Sequence, residues 1–166
     1  MQSIYFWNGN KSPARQFYET ALLQACLKAT DNEYGSVEVR IDNTDYPCAD
    51  DEANIFLNGA DILVTVAGNV KFINKQKLVI PHPLTKGLLG YPFPLVFYVN
   101  PAKSSLAERV KKGLNKIIAN DEFETLFGHY HGDVMQRLNL RKREIFTLTN
   151  PLLPIEMSHF CGSLLD

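Results

Sequence analysis

A chain of 166 residues with 17 basic and 18 acidic side chains carries a net charge of −1, which gives no long-range attraction to nucleic acid. Its 45% hydrophobic and 21% charged fractions are those of an ordinary globular domain, a size that buries roughly 70% of the unfolded surface. No run of 18 apolar residues is present, so no membrane-spanning helix is expected.

Ile4-Tyr-Phe-Trp7 is a short apolar run closed by Asn8-Gly9-Asn10, which predicts a strand and a turn. Ser12-Pro13 then supplies an N-cap and a proline at the first helical position. Ala14, Phe17, Tyr18, Ala21, Leu22 and Ala25 recur at helical spacing, and the helix is expected to end near residues 30–32. Residues 36–42 alternate as a half-buried strand does. Residues 50–57 open on acids, which suits a short helix. Residues 61–67 are almost continuously apolar, the pattern of a strand covered on both faces. Further strands are predicted at 78–80 and 95–99. Helices are predicted at 105–120 and 121–127, with Gly128 marking the end of the second.

Strand and helix patterns alternate, which predicts an α/β fold with a mainly parallel sheet and helices on both faces. The strands 4–7, 37–41 and 62–66 are placed at its centre. A single lobe is expected over residues 1–155, with an N-terminal part at 1–90 and a returning part at 91–155. Residues 156–166 read as a tail.

In an open parallel sheet, ligands bind beyond the carboxyl ends of the strands. Two such ends carry candidate ligand-binding residues. The first is Trp7, Asn8 and Asn10, beside the free amides of a helix N-terminus that favour an anion. An exposed Trp7 would give a stacking wall there; the alternative is a core tryptophan above a plain turn. The second is Thr65 and Asn69, with Lys71 as a point charge close behind; the alternative is a solvated loop.

Catalytic residues are not expected. No nucleophile elbow, phosphate loop or His-Glu-x-x-His is present. Ser104 and Ser105 read as helix caps, and Asp121, Glu122 and Glu124 as helix-dipole acids. His129 and His131 are two apart, so on a helix they diverge, and an exposed pair is expected rather than a metal site. No cofactor is implied. Cys26, Cys48 and Cys161 have no metal-ligand spacing. Cys26 falls inside a helix pattern, which favours a buried thiol; a Cys26–Cys48 disulfide is the alternative in an oxidising compartment.

The segment Lys86-Gly-Leu-Leu-Gly90, the Asn100-Pro101 helix entry, the Phe123…Leu126-Phe127 helix and the Asn150-Pro-Leu-Leu-Pro154 end together resemble the type II periplasmic solute-binding proteins of amino-acid transport. The resemblance implies capture of a small polar, amino-acid-like solute between two lobes that close on a hinge. It implies that the chain leaves the first lobe after Ile80 and returns through 95–99. Only Tyr91-Pro-Phe-Pro94 separates the outgoing and returning segments here, so one lobe is expected without the other. The arginine that clamps an α-carboxylate in such proteins belongs to the absent part.

A lone lobe implies weak solute binding, a homodimer through residues 88–99, or a former cleft face that docks a partner protein. The homodimer follows from an expected aromatic patch around Trp7, Tyr91, Phe93 and Phe97. A periplasmic location is expected if the sequence is a mature form with its leader removed, and a cytoplasmic one otherwise.

Overall fold

A computed structural model describes residues 2–47, 54–66, 79–80, 84, 95–139 and 142. The 85–94 connection, the 150–154 end and the 156–166 tail lie outside them. Five strands form one sheet: β1 (Gln2–Trp7), β2 (Val37–Asp42), β3 (Ile62–Val66), β4 (Val79–Ile80) and β5 (Leu95–Val99). Their order is β2-β1-β3-β5-β4. β1 pairs in parallel with both β2 and β3. β5 pairs antiparallel with both β3 and β4. Among the described strands, then, β1, β2, β3 and β4 run one way and β5 runs against them.

The expected position of residues 37–41 at the sheet centre is corrected, because among the described residues β2 is an edge strand. Its alternation of half-buried Val37 and Val39 with exposed Glu38 and Arg40 is the pattern of a strand covered on one face. The continuous apolar run of β3 does sit inside, with Ile62 and Leu63 fully buried on opposite faces.

The helices among the described residues are α1 (Pro13–Lys28), α2 (Asp31–Tyr34), α3 (Ser104–Ala119) and α4 (Glu122–Leu138). α1, α3 and α4 pack on one face, over Ile4, Phe6, Ile62, Val64, Phe97 and Val99. The other face carries Trp7, Leu63, Val96 and Tyr98 and is covered by Ile55, Phe56 and Ala60. Residues 54–59 form turns, with Gly59 at φ +98°; residues 50–53 of the helix expected at 50–57 lie outside the described residues. Among the described residues, the long helices cover one face and the 54–59 turns lie on the other.

Two helices depart from their sequence patterns. α1 buries Tyr18, Glu19, Leu22, Leu23, Cys26 and Leu27, while Phe17 is 66% exposed. The burying stripe is therefore rotated by about one residue from the one Ala14, Phe17 and Ala21 suggest. α4 does not stop at Gly128. Phe123, Phe127, His131 and Met135 recur every fourth residue and all pack toward the core, so the helix continues to Leu138. α1 and α3 approach closely because Gly113 lies against Cys26, where an added Cβ would fall 2.1 Å from the Cys26 carbonyl oxygen.

Candidate functional site

The carboxyl ends of β1, β2 and β3 share one edge of the sheet. Trp7 closes β1 there and is only 4% exposed. Strand alternation points its indole away from the helices, into the second core beside Leu63 and Val96. Its ring meets Tyr46 at 5.8 Å between centroids. Its Nε1–H donates to the carbonyl of Thr44 at 3.0 Å. Trp7 is a packed core residue here, not an exposed stacking wall.

Asn8 is fully buried, and its backbone N–H donates to the Asp42 carbonyl at 2.8 Å. Its side-chain Nδ2 donates to Glu19 Oε2 at 2.7 Å, and its Oδ1 accepts the Asn10 backbone N–H at 3.0 Å. Asn10 repeats the pattern. Its Nδ2 donates to Glu19 Oε1 at 3.2 Å, its Oδ1 accepts the Ser12 N–H at 3.1 Å, and its carbonyl accepts from Gln16 Nε2. Each asparagine thus closes a local turn with its oxygen and holds α1 with its nitrogen.

Glu19 was not legible as a site residue, though it lies in phase with Leu22, Leu23 and Cys26 on the buried stripe of α1. Burial pushes its carboxyl up to about 7, against the opposing pull of the Asn8 and Asn10 hydrogen bonds and the nearby Arg15 charge. An acid in the core that accepts two neutral amides is the most perturbed carboxyl at this edge.

Thr65 is half-buried on β3, two residues past Leu63, the register partner of Trp7. It therefore lies on the same face and at the same edge as Trp7. Asn69 and Lys71 lie outside the described residues. Asp42 ends β2 there. Its carboxylate accepts from the Tyr5 hydroxyl and from Thr44, whose backbone N–H donates at 2.9 Å. Burial works to raise its pKa, but these hydrogen bonds outweigh it and hold the carboxyl below its ordinary range.

The histidine pair also divides. His129 is exposed, but His131 is 7% exposed, which corrects the expected exposed pair. On one helix the two point apart. His131 turns inward against Tyr18 at 4.6 Å and Phe127 at 5.0 Å, and its Nε2 has no hydrogen-bond partner. Burial, then the Arg15 charge, lowers its pKa. No group of three metal-ligating side chains occurs among the described residues. Cys26 is a buried free thiol whose pKa burial raises, which makes it a poor nucleophile; Cys48 and Cys161 lie outside the described residues. No helix among the described residues is long and apolar enough to cross a membrane.

The opposite, amino edge holds a second polar cluster. Asp61 precedes β3, accepts the Tyr5 N–H at 2.8 Å and pairs with Lys103. Arg109 of α3, 3% exposed, donates to the Thr30 hydroxyl, the Leu27 and Gly35 carbonyls and the Asp31 carboxylate, all within 3.1 Å. A groove of about 370 Å³ runs between Ser3, Tyr34, Asp61, Lys103 and Arg109. Every one of these charges has a partner inside the fold, so this edge reads as a structural anchor. In comparisons with protein-family models, curated proteins and solved structures, nothing matches the chain.

Proposed function

We propose that the chain is a non-enzymatic binding lobe related in design to the type II solute-binding proteins, taking a small polar, amino-acid-like solute at the carboxyl edge of its sheet. One observation carries this reading: β5 is inserted between β3 and β4 and runs against the other four strands. The resemblance implies a chain that leaves the lobe after β4 and returns through residues 95–99, and the pairing of β5 with β4 in the same sheet supports that path. Trp7, Asn8 and Asn10 then frame the site, since their polar groups are engaged within the fold. Direct contacts fall to Thr65, Asn69 and Lys71.

A single lobe leaves much of such a solute in water, so affinity is low. Calorimetry with a panel of free amino acids tests this. The expected Kd for the monomer is no tighter than about 100 μM, roughly 5–6 kcal/mol. A submicromolar constant for a proven monomer would show that one lobe suffices, and no heat with any member of the panel would remove the solute reading.

The engagement of Trp7, Asn8 and Asn10 inside the fold favours a second reading, in which the former cleft face docks a protein. The aromatic face expected for it is reduced, because Trp7 is buried and Phe97 is fully so; Tyr91 and Phe93 lie outside the described residues. A homodimer through residues 88–99 would require exchange of strands, since β5 occupies an inner position paired on both sides. Light scattering at micromolar concentration decides it: twice the monomer mass supports exchange, and a monomer mass excludes it.

A further inference from the structure

The turn after β1 is fixed to the rest of the molecule at one acidic side chain. Glu19 has no exposed surface, and its two oxygens accept one amide each, from Asn8 at 2.7 Å and from Asn10 at 3.2 Å. Both amides belong to the turn, while Glu19 belongs to α1. We infer that Glu19 is a proton-operated latch: ionised, it holds the 8–12 turn on α1, and protonated, it releases Asn10 so that the turn shifts across Trp7.

The geometry makes the two states discrete. A carboxylate accepts from both amides, but a carboxylic acid turns one oxygen into a donor that faces an N–H. Neither asparagine can flip its amide to receive that proton without giving up a turn bond. Asn8 Oδ1 already accepts the Asn10 N–H, and Asn10 Oδ1 already accepts the Ser12 N–H. Asn10 makes the longer bond and is partly exposed, whereas Asn8 is fully buried. Asn10 is therefore the member that lets go, toward water.

The groups around the carboxyl set where the latch operates. On α1 itself, Arg15 favours the charged form, and Tyr18 lies beside it as a neutral phenol. From α4 comes His131, stacked on Tyr18 and held neutral by burial. The turn contributes neutral amides. From α3, Arg109 and Lys116 hold the far end of α1. From β2, Asp42 is engaged with Tyr5 and Thr44. Burial and the amides oppose each other closely enough to bring the carboxyl to about 7.

The molecule supplies its own reporter. Trp7 is the sole tryptophan, and the Gly9 backbone lies on its indole so closely that an added Cβ would fall 2.3 Å from ring carbon Cζ2. A shift of the turn changes the surroundings of that ring. Trp7 emission followed from pH 5.5 to 8.5 is expected to show one transition centred near pH 7. The transition is expected to vanish in Glu19→Gln and to persist in His131→Asn. In Asn10→Asp, which removes a donor and adds a second carboxylate, it is expected to move to higher pH.

If Glu19→Gln does not fold, the Asn10 side-chain amide resonances of the unaltered protein carry the test, since they should shift with the same midpoint. A folded protein with neither an emission change nor an Asn10 shift across this range would overturn the latch. So would a transition unchanged in Glu19→Gln, or one abolished by His131→Asn. None of these readouts requires a solute, so they succeed or fail independently of the binding reading.

Discussion

At its amino end α1 is joined to the β1 turn through Glu19, and at its carboxyl end it is joined to α3 through Arg109. Both side chains are buried; the Arg109 charge suits the carboxyl end of the α1 macrodipole, whereas Glu19 lies in the second turn, past the reach of the amino-end dipole. They differ in their partners and in their permanence. Arg109 gathers two carbonyls, a hydroxyl and the Asp31 carboxylate, and a guanidinium stays charged at any ordinary pH. Glu19 gathers two neutral amides, and its proton is exchangeable near neutrality. One end of the helix is thus a fixed joint, and the other is a joint that solution conditions can open. The turn bearing Asn8 and Asn10 sits at the joint that opens.

The largest test is at the fixed joint. Arg109→Ala removes the buried guanidinium shared by the Leu27 and Gly35 carbonyls, the Thr30 hydroxyl and the Asp31 carboxylate, and empties the space it fills. Breaking such a network is expected to cost about 3–5 kcal/mol. Urea unfolding should show that loss nearly unchanged between pH 5.5 and 8.5. A loss that varied strongly with pH would erase the distinction between the two ends.

The next test is at the other end. Burial raises the Glu19 pKa from 4.5 to about 7 in the folded protein. Between those values the folded state keeps a proton that the unfolded state has released. The contribution to stability is therefore fully present below 4.5 and is lost as pH rises through about 7. The total is on the order of 3 kcal/mol. His131, with its lowered pKa, acts in the opposite sense, because stability is lost as pH falls through its folded value. Urea midpoints should thus fall from pH 5.5 to 8 in the native sequence, and Glu19→Gln should flatten that slope. A slope of the same size in the variant would show that another group carries it.

The packing of the fixed end offers a smaller test. Alanine is normally better than glycine inside a helix by ~1 kcal/mol. At Gly113 the new Cβ would meet the backbone of Cys26 at 2.1–2.8 Å, and backbone cannot rotate aside. Gly113→Ala is expected to destabilise by about 1–3 kcal/mol, the usual range for overpacking. A stabilised variant would mean that α3 can move off α1, and that this end is less rigid than its hydrogen bonds suggest.

The strands at 4–7, 62–66 and 95–99 were legible because apolar runs bounded by Asn-Gly or Asn-Pro leave few alternatives. The α/β class followed from their alternation with helical patterns. The rotation of α1 was not legible, because Phe17 and Tyr18 are adjacent and each fits an apolar stripe; Tyr18 lies inside because its hydroxyl reaches the Leu84 carbonyl at 2.5 Å. The length of α4 was hidden by Gly128 and Gly132, which read as stops until Phe127, His131 and Met135 are seen packing over α1. Trp7, Asn8 and Asn10 were correctly placed at a strand end. The inward direction of Asn8 and Asn10 depends on Glu19, and a glutamate in a helix is expected at the surface unless tertiary partners are known.

Glu33, on α2, gives the smallest effect and a contrasting sign. It is a surface glutamate whose carboxylate meets Lys112 and Lys116, the latter at 2.6 Å. Hydrogen bonds from these two lysines, Lys112 first, lower its pKa below 4.5. Its contribution is present above 4.5 and is lost as pH falls through the lowered value, the reverse of Glu19. All three groups are substantially exposed, so solvent and salt screen the pairing. Glu33→Gln should leave the urea midpoint at pH 7 close to that of the native sequence. Any difference should disappear in 1 M salt, where the screening length is about 3 Å, while the Glu19 slope persists there because its partners are uncharged amides in the core. If 1 M salt removed the Glu19 slope as well, the buried carboxyl would be responding to the protein's surface charges, and the opening joint would lie in those charges and not in the two asparagines.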